Sequence, residues 1–241
     1  MDTDWEKLLK SHPAVKKEWD ATYPWIRYVA RPVSFPISWA FRKAGLGANH
    51  ATILTVLLGF ASVPLLASGV KAWMAAGALC LVLYTVFDCV DGDLARAWPE
   101  TGSPAGQFWG ELVGHFYLIC YIPLGLSFGE PWAAFGPAIT ACKLLTINIR
   151  HNFWETLGGL WEQSKKASAY EPSTGKWHYK VYYNLTDPQG HIFLLPLLLL
   201  AGFGREFIAV SLAIACADLA FILVFHLLRA RKIGSKKGQV L

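Results

Sequence analysis

Charge is scarce in this 241-residue chain: 16% of residues are charged and 54% are hydrophobic, and the mean hydropathy is +0.34. That balance excludes an ordinary soluble domain and points to a membrane protein. There is no basic cluster either. The 22 Lys and Arg against 17 Asp and Glu leave a net charge of +5 that falls in loops, which argues against nucleic acid as a partner. Cysteine forms no pattern. Cys80, Cys89, Cys120, Cys142 and Cys216 all lie in apolar stretches without C-x-x-C spacing, so they read as small core residues and not as disulfides or a thiolate zinc site. Met1 to Lys17 lacks the apolar core of a signal peptide, so the first hydrophobic segment is expected to be retained. An internal repeat and a matched pair of interrupted helices are also missing, which argues against a small-solute transporter.

Long apolar runs are what the chain does have. A spanning helix needs about 20 mostly apolar residues, and six such runs are expected near Ala51–Ser68, Ala72–Phe87, Ala105–Phe128, Trp132–Ile149, His191–Phe203 and Phe207–Leu228. Basic residues sort by side of the membrane. Nineteen of the 22 fall before the first run, after the second, between the fourth and fifth or after the last; the alternate connections hold only Lys71 and Arg205. The positive-inside rule then places both termini in the cytoplasm. Residues 1–48 alternate Trp5, Leu8, Leu9, Trp25, Ile26, Val29 and Val33 with Lys and Arg, the pattern of an amphipathic helix on the cytoplasmic surface. The expected fold is therefore an all-α integral membrane protein with that N-terminal amphipathic segment, a six-helix domain over residues 49–228 and a basic tail over 229–241.

At the cytoplasmic end of the second run stands Phe87-Asp88-Cys89-Val90-Asp91-Gly92-Asp93-Leu94-Ala95-Arg96. Acids at the hydrocarbon edge are costly and mark sites, and Asp88 and Asp91, three apart, share one helical face. A hard divalent cation stabilises such a pair. Gly92 admits close backbone approach, Ala95 keeps the helix slim, and Arg96 offers a planar fork to phosphate. Helix-end capping plus a positive-inside arginine explains a single acid and a single arginine, but not the whole run.

This run resembles the first half of the signature of the CDP-alcohol phosphotransferases, Asp-x-x-Asp-Gly-x-x-Ala-Arg. The resemblance implies a six-helix membrane enzyme that takes a CDP-alcohol donor and a hydroxyl acceptor, at least one of them a lipid, and releases CMP. It implies Mg2+ or Mn2+, two ions, held by aspartates. The family's second half, Gly-x-x-x-Asp-x-x-x-Asp, is altered here. Gly106 matches its glycine one residue late, but Gly110 and Gly114 occupy the aspartate positions, with Glu111 and His115 immediately after them. Glu111 is thus expected as a third metal ligand beside Asp88 and Asp91, and His115 as the general base, joined in catalysis by Arg96. Asn49-His50-Ala51-Thr52 matches the Asn-x-x-Thr that opens the family's first helix, so Asn49 and Thr52, with Gly92, Ala95 and Gly106, are expected to contact the nucleotide.

Lys143 and Asp218 are lone charges inside the fourth and sixth runs; they are expected to pair with each other or, for Lys143, to meet substrate phosphate. Aromatics between Trp154 and Tyr183 read as an interfacial belt. Asp187 and His191, four apart, either extend the site or cap a helix. Gly106, Gly110 and Gly114 form a small-x-x-x-small ladder, compatible with close helix packing or a homodimer. Two functions stay open: a divalent-metal-dependent transferase of lipid biosynthesis, or a catalytically degenerate relative that serves as a membrane scaffold or binds lipid or nucleotide.

Overall fold

The computed structural model describes residues 3–114, 116–159 and 177–237, without side chains for 111–113 and 234–237. Among the described residues the chain is helical with no strand. Its N-terminal segment is three helices, α1 (Thr3–Lys10), α2 (Ala14–Asp20) and α3 (Arg31–Lys43), with a π-helical turn at Ile26–Ala30 leading into α3. Pro13 precedes α2 in an extended conformation, and Pro32 sits in the first turn of α3, directly after the π-helical turn. One face of the segment is built into the protein: Leu8 is buried beside Val90, Leu94 and Trp98. The opposite face exposes Tyr28, Val29 and Val33.

Two long helices form the frame, α4 (Ala48–Ala67) and α5 (Lys71–Ala97). Gly69, at φ +68°, makes the reversal between them, a conformation that costs glycine little. At Gly77 the helices approach so closely that an added Cβ would sit 2.9 Å from the Leu66 nitrogen. Short helices α6 (Pro104–Val113), α7 (Phe116–Ile119) and α8 (Tyr121–Leu126) follow, then α9 (Trp132–Phe153), α10 (Trp177–Thr186), α11 (Leu195–Ala201) and α12 (Gly204–Lys237). Leu81 and Tyr84 of α5 share the central core with Ile139 of α9, Leu195 and Leu199 of α11 and Ile208 of α12.

Outward faces carry Ile53, Leu57, Phe60, Trp73, Leu197 and Val210, all more than half exposed, which suits lipid and not water. Four helical stretches are long and apolar enough to cross a bilayer: Ala48–Ala67, Lys71–Ala97, Trp132–Gly159 and Gly204–Ile233. The protein is a multi-pass membrane protein. Six spans were expected, and the difference lies in the third and fifth. Phe116–Leu126 and Ile192–Ala201 are apolar but short; eleven residues rise about 16 Å, roughly half the hydrocarbon thickness. Within the third run Pro123 stands in α8, just after the turn at Cys120, and in the fifth a 3-10 turn at Ile192–Leu194 leads into α11, with Pro196 in its first turn; the third run also includes residue 115, outside the described residues. Two other helices are longer than expected. α5 runs through the acidic motif to Ala97, and α12 continues through the basic residues from Arg229, so no structural break separates residue 228 from 229.

Candidate active site

At 27 residues α5 rises about 40 Å, more than the ~30 Å of hydrocarbon, and its last three turns carry the motif. At about 100° per residue, Asp88 and Asp91 fall roughly 60° apart around the helix, while Asp93 lies about 140° from Asp88. The three carboxylates accordingly have different fates.

Asp93, 1% exposed, is saturated. Its Oδ1 accepts from Arg31 and from Arg96, both at 2.7 Å, and its Oδ2 accepts from the Ser34 hydroxyl at 2.7 Å. Arg31 also donates Nε to Asp20 Oδ2 at 2.8 Å and an amine to the Cys89 carbonyl at 3.2 Å. Asp20 lies 3.1 Å from His12 Nε2 and 3.2 Å from the Lys16 ammonium. His12 is held below its ordinary value, first by burial and then by the Arg31 guanidinium, which together outweigh Asp20 and Asp93.

Asp88 and Asp91 are half-buried and, among the described residues, neither has a cationic partner. Asp91 accepts the Thr52 hydroxyl from α4 at 3.0 Å. Asp88 faces a cavity of about 200 Å³ that Lys16, Trp19 and Asp20 line from α2, and Gly92 and Arg96 from α5. Arg96 Nε is buried there without a hydrogen-bond partner among the described residues. At Gly92 an added Cβ would lie 3.1 Å from the Arg96 guanidinium, so the glycine leaves that side chain its room. Ala95 packs near the turn at Gly102.

The opening of α4 meets the opening of α6. Asn49 Oδ1 accepts from Ser103 Oγ at 3.3 Å, and Ser103 Oγ accepts the Gly106 N–H at 3.0 Å, capping α6. A Cβ at Gly106 would collide with Asn49 Oδ1, whereas one at Gly110 would meet nothing within 4 Å among the described residues. The glycine ladder is therefore used at its first rung and not at its second. Asn49, Thr52, Asp91 and Gly106 thus come from three helices to one end of the bundle. Glu111 belongs to α6 but its side chain, like all of His115, lies outside the described residues.

Lys143 is not with the aspartates. It lines a second cavity, about 880 Å³, and donates to the Thr186 carbonyl. The expected pair with Asp218 does not form: Asp218 accepts from Tyr182 at 2.5 Å and lies 3.7 Å from Arg150, which itself donates to Tyr182. Tyr182 of the presumed interfacial belt is thus an interior partner. Asp187 caps the turn at Pro188–Gly190, accepts from Tyr23 and lines the larger cavity, while His191 meets Asn184 and Tyr121 and caps nothing with its side chain.

A family model for CDP-alcohol phosphatidyltransferases matches residues 48–217, from the first residue of α4 into α12. The chain belongs to the CDP-alcohol phosphatidyltransferase family. No curated protein matches the chain to add a substrate to that membership. The matched region begins after α3, so Lys16, Asp20, Arg31 and Ser34 reach the family motif from outside it. Sequence reading misses these four residues: they stand among other basic and polar positions, and Arg31 differs from its neighbour Arg27 only by the proline that follows it, Pro32. Among the described residues no three His, Cys, Asp or Glu converge into a ready-made metal cage.

Proposed function

We propose that the protein transfers a phosphoalcohol group from a CDP-activated donor to a hydroxyl acceptor in phospholipid or related lipid synthesis, releasing CMP. One observation carries this reading within the family. Of three neighbouring aspartates, the one outside the signature is neutralised by two arginines, while the two signature aspartates, Asp88 and Asp91, form no salt bridge among the described residues, and Asp88 lines a cavity. Unpaired carboxylates so placed demand a cation. Their hard oxygens suit Mg2+ or Mn2+, and an open two-residue edge suits ions whose remaining ligands are substrate phosphate and water. Asp88 and Asp91 would hold the metal, with Glu111 as the proposed third ligand. When bound, the ions supply charge stabilisation for the attacking and leaving oxygens.

The chain's own residues do the rest. Arg96 offers its unpartnered Nε to the donor diphosphate. Thr52 orients Asp91, and Asn49, Gly92, Ala95 and Gly106 shape the nucleotide's bed. His115 takes the acceptor hydroxyl proton. The acceptor oxygen bonds to the phosphorus of the phosphoalcohol, the bond from that phosphorus to the bridging oxygen breaks, and the electron pair leaves with CMP. The basic-residue distribution puts this site and both termini on the cytoplasmic side.

A degenerate, non-catalytic role is the second reading, favoured by Gly110 and Gly114 in place of two aspartates. Purified protein with Mg2+ or Mn2+ and a panel of CDP-alcohols tests both. Metal-dependent CMP release that is lost in Asp91→Ala supports the transferase; activity undiminished in that variant sinks it. Metal-independent or weak nucleotide binding without turnover supports the second reading.

A further inference from the structure

Four buried polar and charged residues, Asp20, Arg31, Ser34 and Asp93, form one connected group, and it joins a segment outside the family-matched region to the family motif. Asp20 is 2%, Asp93 1%, Arg31 6% and Ser34 0% exposed. Each of these groups is costly to bury alone, and the group is tolerable because its hydrogen bonds are made. Asp93 Oδ1 is shared by two guanidiniums, one from α3 and one from α5. What Arg31 withdraws from that oxygen, Arg96 does not hold, so Arg31 governs how firmly Arg96 is bound to Asp93. Arg96 in turn lines the cavity beside Asp88 with its buried Nε unpartnered. The second arm of Arg31 grips Asp20, and through it α2, whose Lys16 and Trp19 line the same cavity.

The geometry points to Arg31 as a positioning residue of the donor site: by dividing Asp93 with Arg96 and anchoring Asp20, it sets Arg96 for a phosphate and makes α2 a wall of the cavity. The ligand class is the diphosphate of a CDP-alcohol, so this rests on the transferase reading above. Without Arg31, Asp93 has Arg96 as its remaining guanidinium and competes with the substrate for it, and α2 loses its anchor. Donor binding suffers before the chemical step does. Replacing Asp93 as well removes the competitor and frees Arg96.

The test compares Arg31→Gln, Arg31→Lys, Asp93→Asn and the double variant Arg31→Gln with Asp93→Asn, reading the KM for the CDP-alcohol, kcat and thermal melting. Arg31→Gln is expected to raise the donor KM about tenfold, the scale of a lost hydrogen bond to a charged group, with a smaller change in kcat. The double variant is expected to recover part of that loss. Arg31→Lys keeps the charge but cannot reach three acceptors, so it is expected to raise KM even where it folds as wild type; it carries the test if Arg31→Gln fails to fold. An unchanged KM in folded Arg31→Lys, or activity that merely follows the folded fraction with no recovery in the double variant, overturns the inference and leaves the transferase reading standing. Wild-type protein that releases no CMP from any CDP-alcohol overturns both.

Discussion

Thr52 on α4 donates its hydroxyl to Asp91 on α5 across 3.0 Å, and the same oxygen lies 3.2 Å from the Ala48 carbonyl of its own helix. One proton cannot serve both acceptors fully, and a carboxylate is the stronger. Removing the hydroxyl leaves α4 with its backbone bonds intact but frees the Asp91 carboxylate to rotate. Thr52→Val is therefore expected to fold and melt as wild type while CMP release falls ten- to a hundredfold, the range of a hydrogen bond to a charge. Thr52→Ser is expected to retain most activity. Equal activity in the two variants would falsify the assignment.

The three aspartates should separate stability from function. Asp93→Asn takes from Arg96 its carboxylate and leaves Arg31 with Asp20, and breaking a buried pair in this way costs about 3–5 kcal/mol, read as a lowered melting temperature. Asp88→Asn and Asp91→Asn remove half-buried charges without a cationic partner among the described residues, so those variants are expected to melt at or above the wild-type temperature and to lose CMP release. A thermal-shift series over the three variants checks the ordering.

Gly106 and Gly110 look alike in sequence and differ in surroundings. Gly106→Ala forces Asn49 aside and is expected to destabilise by about 1–3 kcal/mol, as overpacking does. Gly110→Ala meets open space and is expected to be neutral, or stabilising by up to about 1 kcal/mol through helix propensity. Chemical unfolding in detergent compares them.

Acidification should loosen the N-terminal segment through His12. The unfolded chain takes up a proton near 6.5, while the folded one, where burial and Arg31 oppose the charge, takes it up at lower pH. Between those two values the unfolded state binds more protons, so stability rises with pH across the window and falls as pH drops below about 6.5, at most ~1.4 kcal/mol per pH unit for one group. Asp20, Arg31, Asp93 and Arg96 are the charges that act on it. Melting at pH 7.5 and 5.5 should show a smaller difference in His12→Gln than in wild type.

Orientation can be read from the turn after α5. Ser103 is occupied by Asn49 and Gly106, whereas Glu100 has an exposed side chain. Cysteine at Glu100 is expected to react, above the parent protein's background, only with reagents that enter the cytoplasm. Labelling by an impermeant reagent in intact cells reverses the topology.

Short-range spacing was legible in the sequence. The shared face of Asp88 and Asp91 follows from helical periodicity, and the motifs that single out Asn49 and Gly106 are a few residues long, though their meeting through Ser103 is a long-range contact. Long-range partnership was not. Arg31 finds Asp93 across 62 positions, and Asp218 takes Arg150 and Tyr182 in preference to Lys143, choices made by which helix packs on which. The third apolar run met the length criterion by composition, and its described part is the helices α6, α7 and α8 on either side of residue 115. Glu111 and His115 lie where their side chains are outside the described residues, so their expected roles stand on spacing.

The overlap of α4, α5 and the N-terminal helices also fixes an order in time. The residues that the structure brings to the carboxylate site lie between His12 and Gly106, save Gln189 in the lining of the small cavity, and the proposed Glu111 and His115 come next in sequence. Chains are synthesised and fold N-terminus first, so the Asp20–Arg31–Asp93 connection and the Thr52–Asp91 bond can close while α9 to α12 are still within the ribosome. The second half of the protein then inserts against a site that already exists, and substitutions there should be the easier ones for the nascent chain to survive.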